Sequence, residues 1–259
     1  MIRIRSGRGL GDSIYLRAIV DHLVGVGDRV TALSDYPDLF IGSGAKVEPF
    51  TREGSVRVAH YTESMGDQSL TQWVAMLRRA GFGPHVPLLI KWQVQNAALV
   101  ERVRAQAAGR PLILVHGGRV PMERIDGYGA DLIPRREAFD CALGALGDCY
   151  RARIGKAPHL YPLQVDADLN GGTLVADLLD LASVCDGVVA QCSFAVPLAE
   201  VFDRPLLAIW ARAGLQSQTT YLRAITPKKV LHNARSRFVM DDSEDEVIQE
   251  AARALLNGR

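Results

Sequence analysis

Four cysteines in 259 residues, none in a Cys-x-x-Cys pair, leave no disulfide framework and no zinc-finger spacing to read. Cys141, Cys149 and Cys185 are expected as free thiols of a reducing cytoplasm, and six scattered histidines add no metal-ligand pattern. Charge of one sign is also missing. The formal net charge is +1 with 23% charged residues, so the overall balance calls for neither nucleic acid nor a membrane surface. The longest apolar runs, such as PLLAIWA (205–211), fall far short of the roughly 20 residues a bilayer needs. No basic, small-residue leader is read before the first strand, which is expected at the very start of the chain. Tandem repeats and low-complexity segments are absent.

What is present is alternation. Short β-type runs, IRIR (2–5), RVTALS (29–34), KVEPF (46–50), VRVAH (56–60) and PLLI (87–90), are interleaved with helical stretches at 12–26, 67–80 and 93–108. Gly109-Arg110-Pro111 breaks the last of these, and the pattern restarts. Strands PLILVH (111–116), YRARI (150–154), GVVAQ (187–191) and LLAIW (206–210) are spaced by helices at 135–147, 173–184 and 194–203. Strands separated by helices of this length make βαβ units and a mostly parallel sheet. The restart predicts two α/β domains, 1–108 and 109–259. A closing helix carries an apolar face of Val247, Ile248, Ala251, Ala252, Leu255 and Leu256, with room to pack back on the first domain. Asp242-Ser243 followed by Glu246 reads as its capping box.

The turn GRGLGDS (7–13) between first strand and first helix is the place to look for chemistry. A phosphate-cradling Walker loop needs lysine where this chain has Asp12, which excludes it. A dinucleotide fold would use Gly7, Gly9 and Gly11 with Asp35 on the ribose. However, a carboxylate in the first helical turn competes with pyrophosphate for the same amides. Asp12 or Ser13 as a helix cap is worth about 1 kcal/mol, yet capping does not require three glycines in five residues. Such glycines indicate close approach of the backbone to something. An acid held there beside a cleft is suited to act as a general base on a hydroxyl, provided a second domain delivers an electrophile. In the second half, LASVCDGVVAQCSFAVPLAEVFDRPLLAIW (181–210) puts the turn Gln191-Cys192-Ser193-Phe194-Ala195 at the carboxyl end of a parallel strand, where open α/β sheets bind ligands.

Leu10-Gly11-Asp12 resembles the Leu-Gly-Asp turn of the heptosyltransferase-like glycosyltransferases (glycosyltransferase family nine). Residues 181–210 resemble that family's later signature of Ala-Asp helix end, Val-Val strand, Asn-Asp-Ser-Gly turn, Leu-Ala-rich helix and hydrophobic strand. His116-Gly117-Gly118 stands where the family has a strand-Pro-Gly turn. The resemblance implies a GT-B fold, in which two Rossmann-like domains face each other across a cleft. It also implies a metal-independent glycosyltransferase with no cofactor and Asp12 as the base. The acceptor would lie at Gly9, Gly11 and Ser13. The nucleotide-diphosphate sugar would lie at His116, Gly117, Gly118, Arg119, Arg124, Gln191, Cys192, Ser193, Phe194, Ala195 and Glu200. The acceptor itself stays open among a glycan, a lipid-linked sugar and a nucleic acid. The chain departs from the family in having Cys192-Ser193-Phe194 for Asp-Ser-Gly and Pro197 in place of a histidine, and it is shorter than the usual member.

The remaining features have plainer competitors. Arg119, Arg124, Arg135 and Arg136 in the 116–137 loop would neutralise a leaving diphosphate, or decorate a solvated loop. Between Arg204 and Met240 seven Lys or Arg occur without an acid, giving either a positive field for an anionic ligand or a cationic face balanced elsewhere. Glu200 is a ribose ligand or a surface helix residue. Cys192 is a nucleophile lacking an obvious base, or a small residue packed beside a nucleotide. Trp73, Trp92 and Trp210 fill cores or the interdomain seam, with Trp92 near enough to the hinge to stack on a sugar. Two further functions compete with glycosyl transfer: a non-catalytic nucleotide or sugar binder that kept the shell, and an NAD(P)-dependent oxidoreductase.

Overall fold

The computed structural model describes residues 1–67, 69–118, 133–155, 160–213 and 226–257. Among the described residues ten strands form two wholly parallel sheets. The first holds β1 (Ile2–Arg5), β2 (Val30–Leu33), β3 (Lys46–Glu48) and β4 (Arg57–Val58) in the order β3-β2-β1-β4. The second holds β5 (Leu112–His116), β6 (Tyr150–Arg153), β7 (Ala167–Asp168), β8 (Gly187–Gln191), β9 (Leu206–Trp210) and β10 (Ser236–Met240) in the order β10-β9-β8-β5-β6-β7. The strand order reverses beside β1 in one sheet and beside β5 in the other, the doubly wound arrangement that opens a crevice at the carboxyl ends of the central strands. Every residue of β5, β8 and β9 is buried, as continuous apolar runs in a sheet covered on both faces require.

Helix α1 (Leu10–Gly25) follows β1. Then come α2 (Glu63–Gly66), α3 (Gln72–Arg79), α4 (Ala97–Ala107), α5 (Arg136–Ala145), α6 (Val175–Val184), α7 (Ala195–Val201), α8 (Pro227–Val230) and α9 (Asp245–Leu256). α4 starts where the Asn96 side chain accepts the Leu99 amide at 3.1 Å, and it ends at Ala108, which turns left-handed at φ 52°. The run at 87–90, expected as a strand, is irregular. It finds no strand to pair with, and the Ile90 amide donates instead to the Val201 carbonyl at 3.0 Å. β7 and β10 escaped sequence reading; β7 is two residues long, and β10 has only Val239 and Met240 buried.

The closing helix starts at Asp245, beyond the expected capping box, because Asp242 is taken by Arg212 (2.9 and 3.0 Å) and Ser243 lies in a turn on Met240. It packs on α5, β9 and β10 within the second half, burying Ile248, Ala252 and Leu255. A segment that does cross to the first half is 226–232. There the Lys229 ammonium donates to the Ser64 carbonyl, Tyr15 reaches the Val230 carbonyl at 3.4 Å, and the His232 ring stands edge-on to Tyr15.

One large core joins both sheets, running from Ile4, Ile14 and Leu16 through Trp73 and Leu99 to Leu114, Leu198 and Trp210. A smaller core on the other face of the second sheet holds Ile113, Val115, Phe139 and Ile248. The linker between the sheets is fastened on both sides. Lys91 bonds through its amide and carbonyl to the buried pair Asp21 and Arg17 on α1. Buried Asp180 of α6 accepts from the Trp92 indole (2.7 Å) and from the Gln95 and Asn96 amides. Trp92 thus sits in the seam as a structural donor. Among the described residues no helix is long and apolar enough to cross a membrane.

Candidate functional site

Gly7 and Gly11 of the opening turn have a steric reason. A side chain on Gly7 would place its Cβ 2.0 Å from Asp12 Oδ2 and 3.3 Å from the His60 ring, so the glycine is the seat of the Asp12 carboxyl group. Gly9 is the N-cap residue of α1, and its backbone N–H holds that same carboxylate. The bond is half of a capping box, made by the third helical residue. Asp12 and Ser13 are not caps themselves: the helix starts two residues before Asp12. A Cβ on Gly11 would meet Pro197 Cγ at 3.3 Å and Phe194 Cα at 3.6 Å, so Gly11 is where the second half of the chain comes against the first. What approaches Gly7 and Gly11 closely is other parts of the protein.

Enclosure governs the chemistry of Asp12. Burial pushes its pKa up to about 7 from 3.8, against the opposing pull of the Gly9 amide. A carboxyl group that titrates near neutrality at the mouth of a crevice is matched to proton abstraction. Ser13 is buried, with Ser34 Oγ at 3.4 Å.

Across from it, the second sheet's reversal point brings His116, Gly117 and Gly118 beside Gln191, Cys192, Ser193 and Phe194. His116 Nδ1 and Ser193 Oγ are 2.9 Å apart, the Ser193 hydroxyl accepts the Ala195 amide at 3.2 Å, and the Phe194 ring stands edge-on to His116 with centroids 4.7 Å apart. Gly117 leaves room for Phe139, whose ring would lie 2.5 Å from a Cβ there, and Gly118 has φ 67°. These residues, distant in sequence, form one constellation. Gln191 is buried at the end of β8. The Cys192 thiol is pushed up to about 12 by burial, which keeps it protonated and removes it as a nucleophile.

Three expected features are placed outside this constellation. Glu200 is buried at the far end of α7, where its carboxylate accepts from the His232 and Asn233 amides (3.2 and 2.6 Å) and from Ser236 Oγ (2.5 Å). It fixes the approach to β10 and is not a surface residue. It also borders a cavity of about 290 Å³ with Leu88, Leu89 and His232. Of the described cations between 204 and 240, Arg204 donates to the Ala182 and Ser183 carbonyls, Arg212 to Asp242, Lys229 to the Ser64 carbonyl and Arg235 to the Asp203 carbonyl. Arg135 binds the Asp241 carbonyl and Arg136 pairs with Asp140. Arg119 and Arg124 lie outside the described residues.

Sequence reading overlooked Arg153, buried at the end of β6. It donates to the Gly117 carbonyl at 2.9 Å and the Tyr161 carbonyl at 3.1 Å, while its Nε is buried without a partner among the described residues. A charged residue closing an otherwise buried strand was the available signal. His60 was overlooked too, because its nearness to Asp12 depends on β4 pairing with β1. The oxidoreductase reading loses both supports: the Asp12 carboxyl fills the space above Gly7, and Asp35 pairs with Arg8 at 2.8 Å. Among the described residues no three His, Cys, Asp or Glu side chains gather to hold a metal.

No family model and no curated protein matches the chain. Solved structures do. E. coli ADP-heptose LPS heptosyltransferase II superposes with a TM-score of 0.67 at 14% identity, over 99% of each chain. A glycosyl transferase family 9 protein from Veillonella parvula gives 0.65 at 9% identity, over 99% of this chain and 97% of that one. E. coli heptosyltransferase WaaC with ADP gives 0.53 at 13% identity, over 99% and 98%. The architecture is therefore that of the GT-B glycosyltransferases, with two Rossmann-like halves meeting along a cleft.

Proposed function

We propose that this protein is a metal-independent glycosyltransferase. It moves a sugar from a nucleoside-diphosphate sugar to an acceptor hydroxyl, with Asp12 as the general base. The observation that carries the reading is the enclosed Asp12 carboxyl group, set at about pH 7 beside the point where the two carboxyl-edge crevices meet. In the forward step the acceptor O–H gives its proton to Asp12 Oδ2 as its oxygen attacks the anomeric carbon. The bond from that carbon to the diphosphate oxygen breaks, and the electron pair leaves with the diphosphate. His116, Gly117, Gly118 and Ser193 are the groups assigned to the diphosphate, with Ser193 oriented by His116. Hydrogen-bond donors fixed before reaction stabilise the growing charge without reorganisation.

The GT-B architecture supports this reading, and the neighbour solved with ADP makes ADP the first nucleotide to try. Thermal unfolding against ADP, UDP, GDP, CMP, dTDP, NAD and their sugar conjugates tests it. A ligand at about 100 times its dissociation constant adds about 2.7 kcal/mol. The expected result is a raised midpoint with one nucleoside diphosphate and its sugar conjugate, followed by release of that diphosphate when an acceptor is added. No shift with any of them refutes the reading. A shift without release over a broad acceptor panel favours the non-catalytic binder, for which Cys192-Ser193-Phe194 is the altered part.

A further inference from the structure

We propose that β10 is a self-pairing edge. Two copies of this chain join by antiparallel pairing of their β10 strands about a twofold axis at Phe238, so that their second sheets become one continuous sheet. The inference is independent of the glycosyl-transfer reading.

An open sheet edge recruits further strands unless shortness, charge, proline or a covering element blunts it. Three of the four edges here are blunted by shortness: β3 has three residues, β4 two and β7 two. β10 runs for five, Ser236–Met240, contains no proline, and pairs with β9 along its whole length. Its other side faces no strand among the described residues. At its middle Phe238 is 45% exposed, next to exposed Arg237. A lone exposed ring is ordinary on a protein surface; the backbone beneath it is what selects a partner.

The Asp241 amide donates to the Trp210 carbonyl at 2.8 Å, and the Arg235 carbonyl accepts the Leu206 amide at 3.4 Å. Odd-numbered residues of this stretch therefore bond inward to β9, and alternation turns the backbone groups of Ser236, Phe238 and Met240 outward. Two outward groups are used locally: the Ser236 amide donates to the Asn233 carbonyl at 3.0 Å, and the Met240 carbonyl accepts the Ser243 amide at 3.1 Å. Among the described residues this leaves the Ser236 carbonyl, the Met240 amide and both groups of Phe238 unbonded on the open edge. A twofold axis at Phe238 pairs these groups with one another. Phe238 of each copy exchanges both bonds with Phe238 of the other, and each Met240 amide donates to the opposite Ser236 carbonyl. The two groups already used locally are the ones this register does not need.

Charge agrees with the direction. Exposed Arg235 and Arg237 precede Phe238, while exposed Asp242, Glu244, Asp245 and Glu246 follow it. Antiparallel pairing lays the cationic part of one copy along the acidic part of the other, and the two Phe238 rings meet as a directly opposed aromatic pair. A strand pair of this length makes a small interface, of the class that forms weak and exchanging complexes. The dimer is therefore expected to exchange with the single chain in the micromolar range.

The test is sedimentation velocity on the full chain, from low to high micromolar concentration. The wild type should pass from the mass of one chain to that of two and go no further. Phe238→Lys sets like charges directly opposite each other and is expected to weaken association by roughly tenfold or more. Phe238→Pro removes an outward-facing amide, which an edge strand tolerates in the single chain, and should weaken association likewise. Both variants should keep the circular dichroism and melting temperature of the dilute wild type. The proposal is overturned by a wild type that stays single at every concentration, by assembly beyond two copies, or by association that a folded Phe238→Lys or Phe238→Pro chain retains at full strength.

Discussion

Asp12→Asn is expected to lower turnover by roughly two to four orders of magnitude, the usual contribution of a positioned base, while leaving donor binding nearly unchanged. Asparagine keeps the size of the side chain and an oxygen for the Gly9 amide, so what is lost is the proton acceptor. The pH profile adds a second readout. Asp12 acts only when ionised, so the wild-type rate should rise about tenfold per pH unit below its pKa and level off above about 7. Neighbouring groups do not confuse the assignment. Tyr15 is held well above 10 by burial first and then by Glu200, Asp12 and Cys192, the Cys192 thiol is near 12, and His60 is held below 6.5. Tyr15 and Cys192 are therefore shifted above pH 7, and His60 is shifted away from it toward lower pH.

Stability should move the opposite way from activity. The folded pKa of Asp12 is raised above its unfolded value of 3.8, so folding binds a proton between 3.8 and about 7. The carboxyl group's contribution to stability is fully present below 3.8 and is lost as pH rises through about 7. Asp12→Asn escapes that loss. Its melting temperature should match the wild type near pH 4, exceed it increasingly toward pH 7, and stay above it by a constant margin beyond. A variant as active as the wild type, or less stable at pH 8, would sink the assignment.

Arg17→Met is expected to cost about 3–5 kcal/mol, the range for breaking a buried ion pair from one side. Arg17 is fully buried. It pairs with Asp21 at 2.7 Å and donates to the carbonyls of Leu39 (2.5 Å), Ile41 (3.0 Å) and Lys91 (2.9 Å). Methionine fills the volume but strands three carbonyls and a carboxylate. Because a chain of this size loses about 2–4 °C of midpoint per kcal/mol, the melting temperature should fall by roughly 10 °C. Arg17→Met/Asp21→Leu should recover part of the loss, since the uncompensated charge is then gone. A single-variant cost below about 1 kcal/mol would show that the pair behaves like a surface salt bridge.

Much of the fold was legible in the sequence because buried parallel strands announce themselves: GVVAQ is β8 residue for residue, and LLAIW is β9. Strands whose burial is partial were not legible. β10 reads as polar over Ser236 and Arg237, and pairing with β9 makes it a strand all the same. PLLI has the composition of a strand but no strand beside it among the described residues. For the candidate site, glycine spacing pointed to the Asp12 turn, the end of a parallel strand to the Ser193 turn, and the family resemblance to the His116 turn. Glu200 was misread because helical position gives a direction only once the partner of the helix is known, and α7 faces residues 232–236 across its far end. His60 and Arg153 depend on strand order, which no local pattern carries.

The core that runs through both sheets makes a fragment ending at residue 108 a poor candidate for independent life. Such a fragment would keep α4, whose apolar side and Asn96 cap are matched to α6, and would expose it to water. Cooperative units follow buried surface rather than sheet count. Heat should therefore melt this chain in a single calorimetric transition, with no step in which one half is lost before the other. Lineages that recombine such halves would have to exchange the 90–96 linker together with its two docking faces, because neither face is complementary to a stranger.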